Sequence, residues 1–174
     1  MNLQNICENI NEYSNLNYKV TVHYGKYNEF GGSCNINDND YNFFMNKMKS
    51  FKNLNVINLS FKKYSLFNKE LYIDKNNAKT IFSNIPINTF IHNNLCFSIY
   101  DHRPMKTDNF PIINKYTSIC NVKTKTFKNK LSKSTEIAFT EEIHNNVSIK
   151  MILVNFDSMD VNEAVKIINQ LFDL

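Results

Sequence analysis

The stretch NYKVTVHYGKYNEFGGSCNINDNDYNFFMNKMKSF, residues 17–51, decides how the fold is read. Lys19-Val20-Thr21-Val22-His23-Tyr24 alternates polar and apolar side chains and stops at Gly25. Successive side chains of a strand point to opposite faces. Lys19, Thr21 and His23 therefore share one face, against Tyr18, Val20, Val22 and Tyr24 on the other. The segment GGSCNINDND then supplies a flexible, glycine-marked loop with several N-cap residues. Tyr41, Phe44, Met45, Met48 and Phe51 follow at helical spacing, an aromatic and methionine stripe of the kind a helix lays on a core. The polar strand face suits a solvent-facing surface and a ligand-holding wall alike.

Working outward, the 174 residues suit a single domain, 1–174, that buries a substantial core. At 43% apolar and 13% aromatic the chain is too hydrophobic to stay disordered, and no Pro/Gly/Ser-rich linker divides it. Asn, Lys, Ile, Phe and Tyr are abundant, all encoded by AT-rich codons, so part of the bias reports the genome. The formal net charge of +4 leans toward polyanionic partners such as RNA or polyphosphate, a lean that a Lys-biased genome also produces. Cys7, Cys34, Cys96 and Cys120 lie far apart with no metal-binding spacing, as expected of reduced thiols in a cytoplasmic protein. The start MNLQNICENINEY lacks the build of a signal peptide, and no run approaches a membrane span.

Along the rest of the chain, Leu3, Ile6, Cys7, Ile10 and Tyr13 predict a short N-terminal helix. VINLSFKKYSLF and KELYIDK read as a strand pair, LCFSIYDH as an alternating strand, and KYTSICNVKTKTF and TEIAFTEEI as further strands. His144-Asn145-Asn146 predicts a turn into VSIKMILVNF. A last helix is capped by Asp160 with Glu163 three residues on, and it buries Val161, Ala164, Val165, Ile168, Leu171 and Phe172. The expected class is α+β. It is a largely antiparallel sheet curled into a tunnel or barrel, with helices at the N-terminus, after the first strand and at the C-terminus.

Phosphate-cradling glycine loops, nucleophile elbows and zinc sets are missing from the sequence. Three candidate sites remain. The first is the Lys19, Thr21, His23 face. The second is Arg103 in YDHRPMKTD, the one arginine of the chain, whose planar fork suits phosphate or an ion pair with Asp101 or Asp108. The third is NVKTKTFKNKLSK, where Lys123, Lys125 and Phe127 share a strand face that fits a polyanion or a lysine-guarded sheet edge.

The opening strand, loop and helix, together with TEIAFTEEIHNNVSIKMILVNFDSMDVNEAVKIINQLF at the other end, resemble the viral and fungal RNA 5′-triphosphatases of the triphosphate tunnel metalloenzyme family. That resemblance implies an eight-stranded antiparallel tunnel in which glutamates of the first and last strands hold Mg²⁺ or Mn²⁺ and basic side chains hold the triphosphate. Carried over by position, the first-strand glutamates fall on Lys19 and Thr21, the arginine on His23, and the last-strand pair on Ser148 and Lys150. None is acidic, which implies an all-basic cavity without a metal. Lys19, His23, Arg103, Lys123, Lys125 and Lys150 become the candidate phosphate- or nucleic-acid-binding residues, with no catalytic residue and no cofactor. The leading expectation is a non-catalytic interaction or regulatory subunit of a viral-type transcription or mRNA-capping assembly. Its partner would be a capping or polymerase subunit, or a second copy. The alternatives are a divergent Mg²⁺- or Mn²⁺-dependent triphosphatase drawing acids from Glu70, Asp74, Glu136 or Glu141, and a β-rich structural virion protein.

Overall fold

The structure, a computed structural model, describes residues 2–14, 18–28, 31–66, 69–101, 118–129, 135–156 and 160–173. Helix α1 (Leu3–Ser14) leads into strand β1 (Tyr18–Tyr24), the short strands β2 (Lys26–Asn28) and β3 (Gly31–Ser33), and helix α2 (Asp38–Lys47), which a 3₁₀ turn (Met48–Ser50) extends. Strands β4 (Leu54–Leu66), β5 (Lys69–Asp74), β6 (Lys79–Ser83), β7 (Asn88–His92) and β8 (Leu95–Asp101) follow. The chain closes with β9 (Ser118–Asn129), β10 (Thr135–His144), β11 (Val147–Phe156) and helix α3 (Val161–Phe172). Nine strands form one antiparallel sheet in the order β6-β5-β4-β9-β10-β11-β1-β8-β7, and β2 pairs with β3 apart from it.

The connection between β6 and β7 explains the shape. These strands occupy opposite edges of the sheet, yet four residues, 84–87, join them. Fully extended, that link spans about 18 Å. A flat sheet of nine strands would hold its edges roughly 38 Å apart. The sheet therefore curls until its edges approach, in a half-barrel around a hollow interior. The right-handed twist of strands favours the same curvature.

The apolar face of the sheet points outward, under the helices. Val20 and Val22 of β1, Phe97 of β8, Phe139 of β10 and Ile152 of β11 pack against Ile6 and Ile10 of α1 and against Ile168 and Leu171 of α3. Burying each such side chain contributes roughly 1.5–3 kcal/mol. Tyr24 at the end of β1 stacks on Phe172 of α3 at 5.0 Å and meets Phe44 of α2 edge-on at 4.9 Å, so one aromatic cluster ties two helices to the first strand.

Local chemistry sets the element ends as expected. The Asp160 carboxylate accepts the Glu163 N–H at 2.9 Å and caps α3. Asn145 and Asn146 both take positive φ, 48° and 65°, as a two-residue hairpin turn between β10 and β11 requires. Two features differ from expectation. Lys26–Asn28 and Gly31–Ser33 pair as strands β2 and β3, where a glycine-marked loop was expected. KTIFS and NTFIH are strands β6 and β7, which carry too little alternation to be read locally.

The hairpin sits tightly on the end of β1. A Cβ at Gly25 would lie 2.2 Å from the Ser33 carbonyl oxygen, and one at Gly32 2.4 Å from that of Lys26. Both clashes are with backbone, which yields little. Gly25→Ala is expected to cost about 1–3 kcal/mol in chemical denaturation, whereas Asp160→Ala, which only removes the α3 cap, should cost about 1 kcal/mol.

Candidate functional site

The curl encloses a cavity of about 710 Å³, a volume suited to a small-molecule ligand. Period-2 alternation places its walls. Lys19, Thr21 and His23 of β1 face inward, as read from the opening stretch, across from Phe61, Tyr72 and Phe82 of β4, β5 and β6. Those three rings form an edge-to-face run, with centroids 5.1 and 5.7 Å apart. Hydroxyls cover much of the remaining wall: Thr124 and Thr140 bond each other at 3.1 Å, and Thr126 is buried beside them.

On the last strand the register differs from the carried-over one. Met151, Leu153 and Asn155 line the cavity, while Lys150 points to the helix-bearing face. There the Lys150 ammonium bonds Asp38 at 2.8 Å and lies 5.4 Å from the Tyr41 ring centroid. Ser148 lies on the outer face too, donating to Glu141 at 2.7 Å. The strand pairing sets Thr21 opposite Asn155 and His23 opposite Leu153, and the Thr21 hydroxyl donates to the Asn155 side-chain oxygen at 2.9 Å. Where the resemblance calls for the first-strand glutamates, this chain has Lys19 and a threonine, Thr21, hydrogen-bonded to Asn155 of the last strand, and His23 stands at the position of the arginine.

His23 carries no charge at neutral pH. Burial lowers its pKa to about 4, and its Nε2 has no hydrogen-bond partner. Of the six candidate residues, Lys19 and His23 thus share the cavity. Lys123 and Lys125 extend from the opposite face of β9, with the Lys125 ammonium 5.5 Å from the Phe127 ring centroid. Arg103 lies outside the described residues.

An all-basic cavity is not what forms. Glu70, Asp74, Asp101, Glu136 and Glu142 line it, against Lys19 and Lys63. Lys63, with a side chain only 12% exposed, is the centre of a buried network that sequence reading did not find. Its ammonium lies 2.6 Å from both oxygens of Glu142 and 3.5 Å from Glu70. Tyr72 donates to the other oxygen of Glu70 at 2.5 Å. Burial alone would lower the Lys63 pKa, but the two carboxylates outweigh it and hold the ammonium above its ordinary value. Glu136 is ion-paired with Lys128. Asp74 accepts the N–H groups of Asn76 and Ala78 at the β5–β6 turn.

The donor set does not fit a divalent metal, because Glu70 and Glu142 share the Lys63 ammonium and Glu136 is ion-paired with Lys128. Among the described residues no three His, Cys, Asp or Glu side chains cluster as metal ligands. The cysteines are no better placed for nucleophilic work. Burial raises the pKa of Cys34, Cys96 and Cys120, and that of Cys7 to about 12, so the reactive thiolate is scarce.

No family model matches the chain, and no curated protein matches it. Solved structures do. The Mimivirus capping enzyme triphosphatase superposes with a TM-score of 0.64 at 10% identity, over 98% of this chain and 96% of that one. The RNA triphosphatase Pct1 of S. pombe gives 0.64 at 7% identity, over 94% and 84%. Pct1 in complex with the Spt5 CTD gives 0.61 at 9%, over 94% and 83%. The fold is the triphosphate tunnel of viral and fungal RNA triphosphatases. No helix among the described residues is long and apolar enough to cross a membrane.

Lys63→Met would leave Glu70 and Glu142 buried without their cation. Denaturation at pH 7 should show a loss of about 3–5 kcal/mol. His23 gives a second test. Its folded pKa lies below that of an unfolded histidine, so the unfolded chain binds the proton first. The stability that neutral His23 supplies is complete above about pH 6.5 and is lost as pH falls toward 4, on the order of 3 kcal/mol. His23→Gln should flatten the pH dependence of Tm across that interval.

Proposed function

We propose that this chain is a non-catalytic triphosphate-tunnel protein that serves as an interaction or regulatory subunit in a viral-type transcription or mRNA-capping assembly. The observation that carries this reading is the Thr21–Asn155 hydrogen bond at 2.9 Å, standing between β1 and β11 where the family resemblance implies opposed glutamates. Metal-assisted phosphoryl hydrolysis needs carboxylate oxygens free to coordinate the cation that activates water and neutralises the phosphates. Here the interior carboxylates Glu70, Glu136 and Glu142 are engaged by Lys63 and Lys128. Their excess over the cavity's lysines also makes the interior a poor host for a triphosphate. The lysines best presented to RNA or another phosphorylated ligand, Lys123 and Lys125, stand outside it.

A protein partner is supported by analogy with a neighbour of the same fold, the S. pombe triphosphatase in complex with the Spt5 CTD. The divergent-enzyme reading has one specific support: Glu70, Asp74 and Glu136 do face the cavity.

Phosphate release from 5′-triphosphorylated RNA, measured with Mg²⁺ and with Mn²⁺, separates the two readings. The expected result is no turnover above the protein-free rate. Thermal unfolding should likewise show no shift that requires Mn²⁺, alone or with tripolyphosphate. A ligand held at 100 times its Kd would add about 2.7 kcal/mol and be readily seen. Metal-dependent turnover abolished by Glu142→Gln would replace this reading with the enzymatic one.

A further inference from the structure

Strand β4 is thirteen residues long, but β5 pairs with it only from Phe61 to Leu66. On its other side β9 pairs with it from Leu54 to Ser65. Among the described residues, the backbone of 54–60 therefore has a strand neighbour on one side only. That open edge is about 24 Å long at the rise of an antiparallel strand. Residues 55–60 are all exposed, Val56 to 50% and Leu59 to 49%. Free strand edges are ordinarily blunted by charge, proline or a bulge. The sequence Asn55-Val56-Ile57-Asn58-Leu59-Ser60 contains neither a charge nor a proline.

The surface beside this edge is basic. On the outer face Asn58 lies opposite Lys125 and Ser60 opposite Lys123, with the exposed Lys62 next along β4. The acid paired in register with Lys123 is Glu141, which already accepts the Ser148 hydroxyl. A strand added to β4 would run two strand spacings, about 9.6 Å, from β9. A lysine and a glutamate reaching toward each other over the short Asn58 and Ser60 side chains span that gap.

We propose that residues 54–60 of β4 are a docking edge for an extended segment of a partner protein in which apolar and acidic residues alternate. Main-chain hydrogen bonds to the open edge give affinity. Apolar side chains on one face of the added strand meet Ile57 and Leu59, and acidic ones on the other face meet Lys62, Lys123 and Lys125. A second copy of this chain fits worse, because pairing β4 with β4 brings two sets of the same lysines together. RNA satisfies the lysines but offers no ladder of N–H and C=O groups to the edge. The inference rests on the reading of the chain as an interaction subunit and names how its partner would be held.

The test uses the full chain and a fluorescent nine-residue peptide of alternating valine and glutamate. A valine–lysine peptide and a labelled oligouridylate of similar length are comparators. The valine–glutamate peptide is expected to bind at least tenfold more tightly than the valine–lysine one and to slow hydrogen exchange at amides within 54–60. Binding should weaken at least tenfold in Leu59→Lys and in the Lys123→Glu/Lys125→Glu double variant. These positions are exposed, so the Tm of each variant should stay near that of the parent.

Absence of peptide binding, equal binding of both peptides, or protection confined to other strands overturns the proposal. So does oligouridylate binding that is lost in the double variant while the peptide is ignored, which makes the patch a nucleic-acid contact. A dimer in sedimentation that Leu59→Lys dissolves would assign the edge to a second copy. The phosphate-release assay decides the non-catalytic reading independently of all these outcomes.

Discussion

The four-residue link between β6 and β7 is the constraint on which the rest of the structure depends. It joins the two edges of a nine-stranded sheet, and the sheet can satisfy it only by curling. The Ile87 N–H, within the link, donates to the Ile99 carbonyl at 2.7 Å and fastens it to β8. Once the edges approach, strands far apart in pairing order face each other across a hollow. Lys63 on β4 can then reach Glu142 on β10, two strands away, and the rings of β4, β5 and β6 face β1. The interior is a product of topology, not of any local motif.

The curl also assigns different solvents to the two faces. The convex face is dry where helices cover it, and it holds the large aliphatic and aromatic side chains. On the concave face, hydroxyls stand where charges would be costly. Thr21, Ser98, Thr126 and Thr140 are buried there, and Thr21 and Thr140 each bond another polar side chain of the wall. The buried charges of the network are held by ion pairing, Lys63 between Glu70 and Glu142, because an unpaired buried ion would cost several kcal/mol. Polar satisfaction inside and apolar packing outside thus come from the same period-2 alternation.

That alternation was legible in the sequence where one face is apolar and the other polar. Strand β1 shows it throughout, so Lys19, Thr21 and His23 were correctly grouped, and they do face one cavity. Strand β11 does not show it: in KMILVNF both faces carry apolar residues, since Ile152 and Val154 enter the core while Met151 and Leu153 line the cavity. A strand buried on both faces reads as a continuous apolar run, and its register cannot be fixed from the pattern. This is why Ser148 and Lys150 were set facing inward when Leu153 and Asn155 are. Strands β6 and β7, five residues each, gave no signal because such short runs carry too little alternation, although each pairs with its neighbour in sequence, β5 and β8. The Lys63 network was hidden for a different reason. Glu70 and Glu142 are 7 and 79 positions along the chain, and in a lysine-rich sequence Lys63 reads as one more solvated cation. The one local trace is that Glu70 and Tyr72 share a strand face.

The network changes what the missing glutamates mean. A cavity that had only lost its metal ligands would be positively charged and open to phosphate. This interior instead keeps carboxylates and engages Glu70, Glu142 and Glu136 with ammonium groups tethered to the same chain. A tethered cation differs from a bound metal in two respects. It does not exchange with solution, so the charge balance of the cavity does not depend on metal supply. It also has no open coordination position, so it cannot take up and polarise a water molecule as a metal does. Lys63 therefore holds the walls of the half-barrel together as an electrostatic tie while offering none of the Lewis acidity that phosphoryl transfer requires. With the interior committed to its own cohesion, the surfaces left for recognition are those the helices do not cover, and the basic face of β9 beside the open length of β4 is one such surface with a definite chemical character.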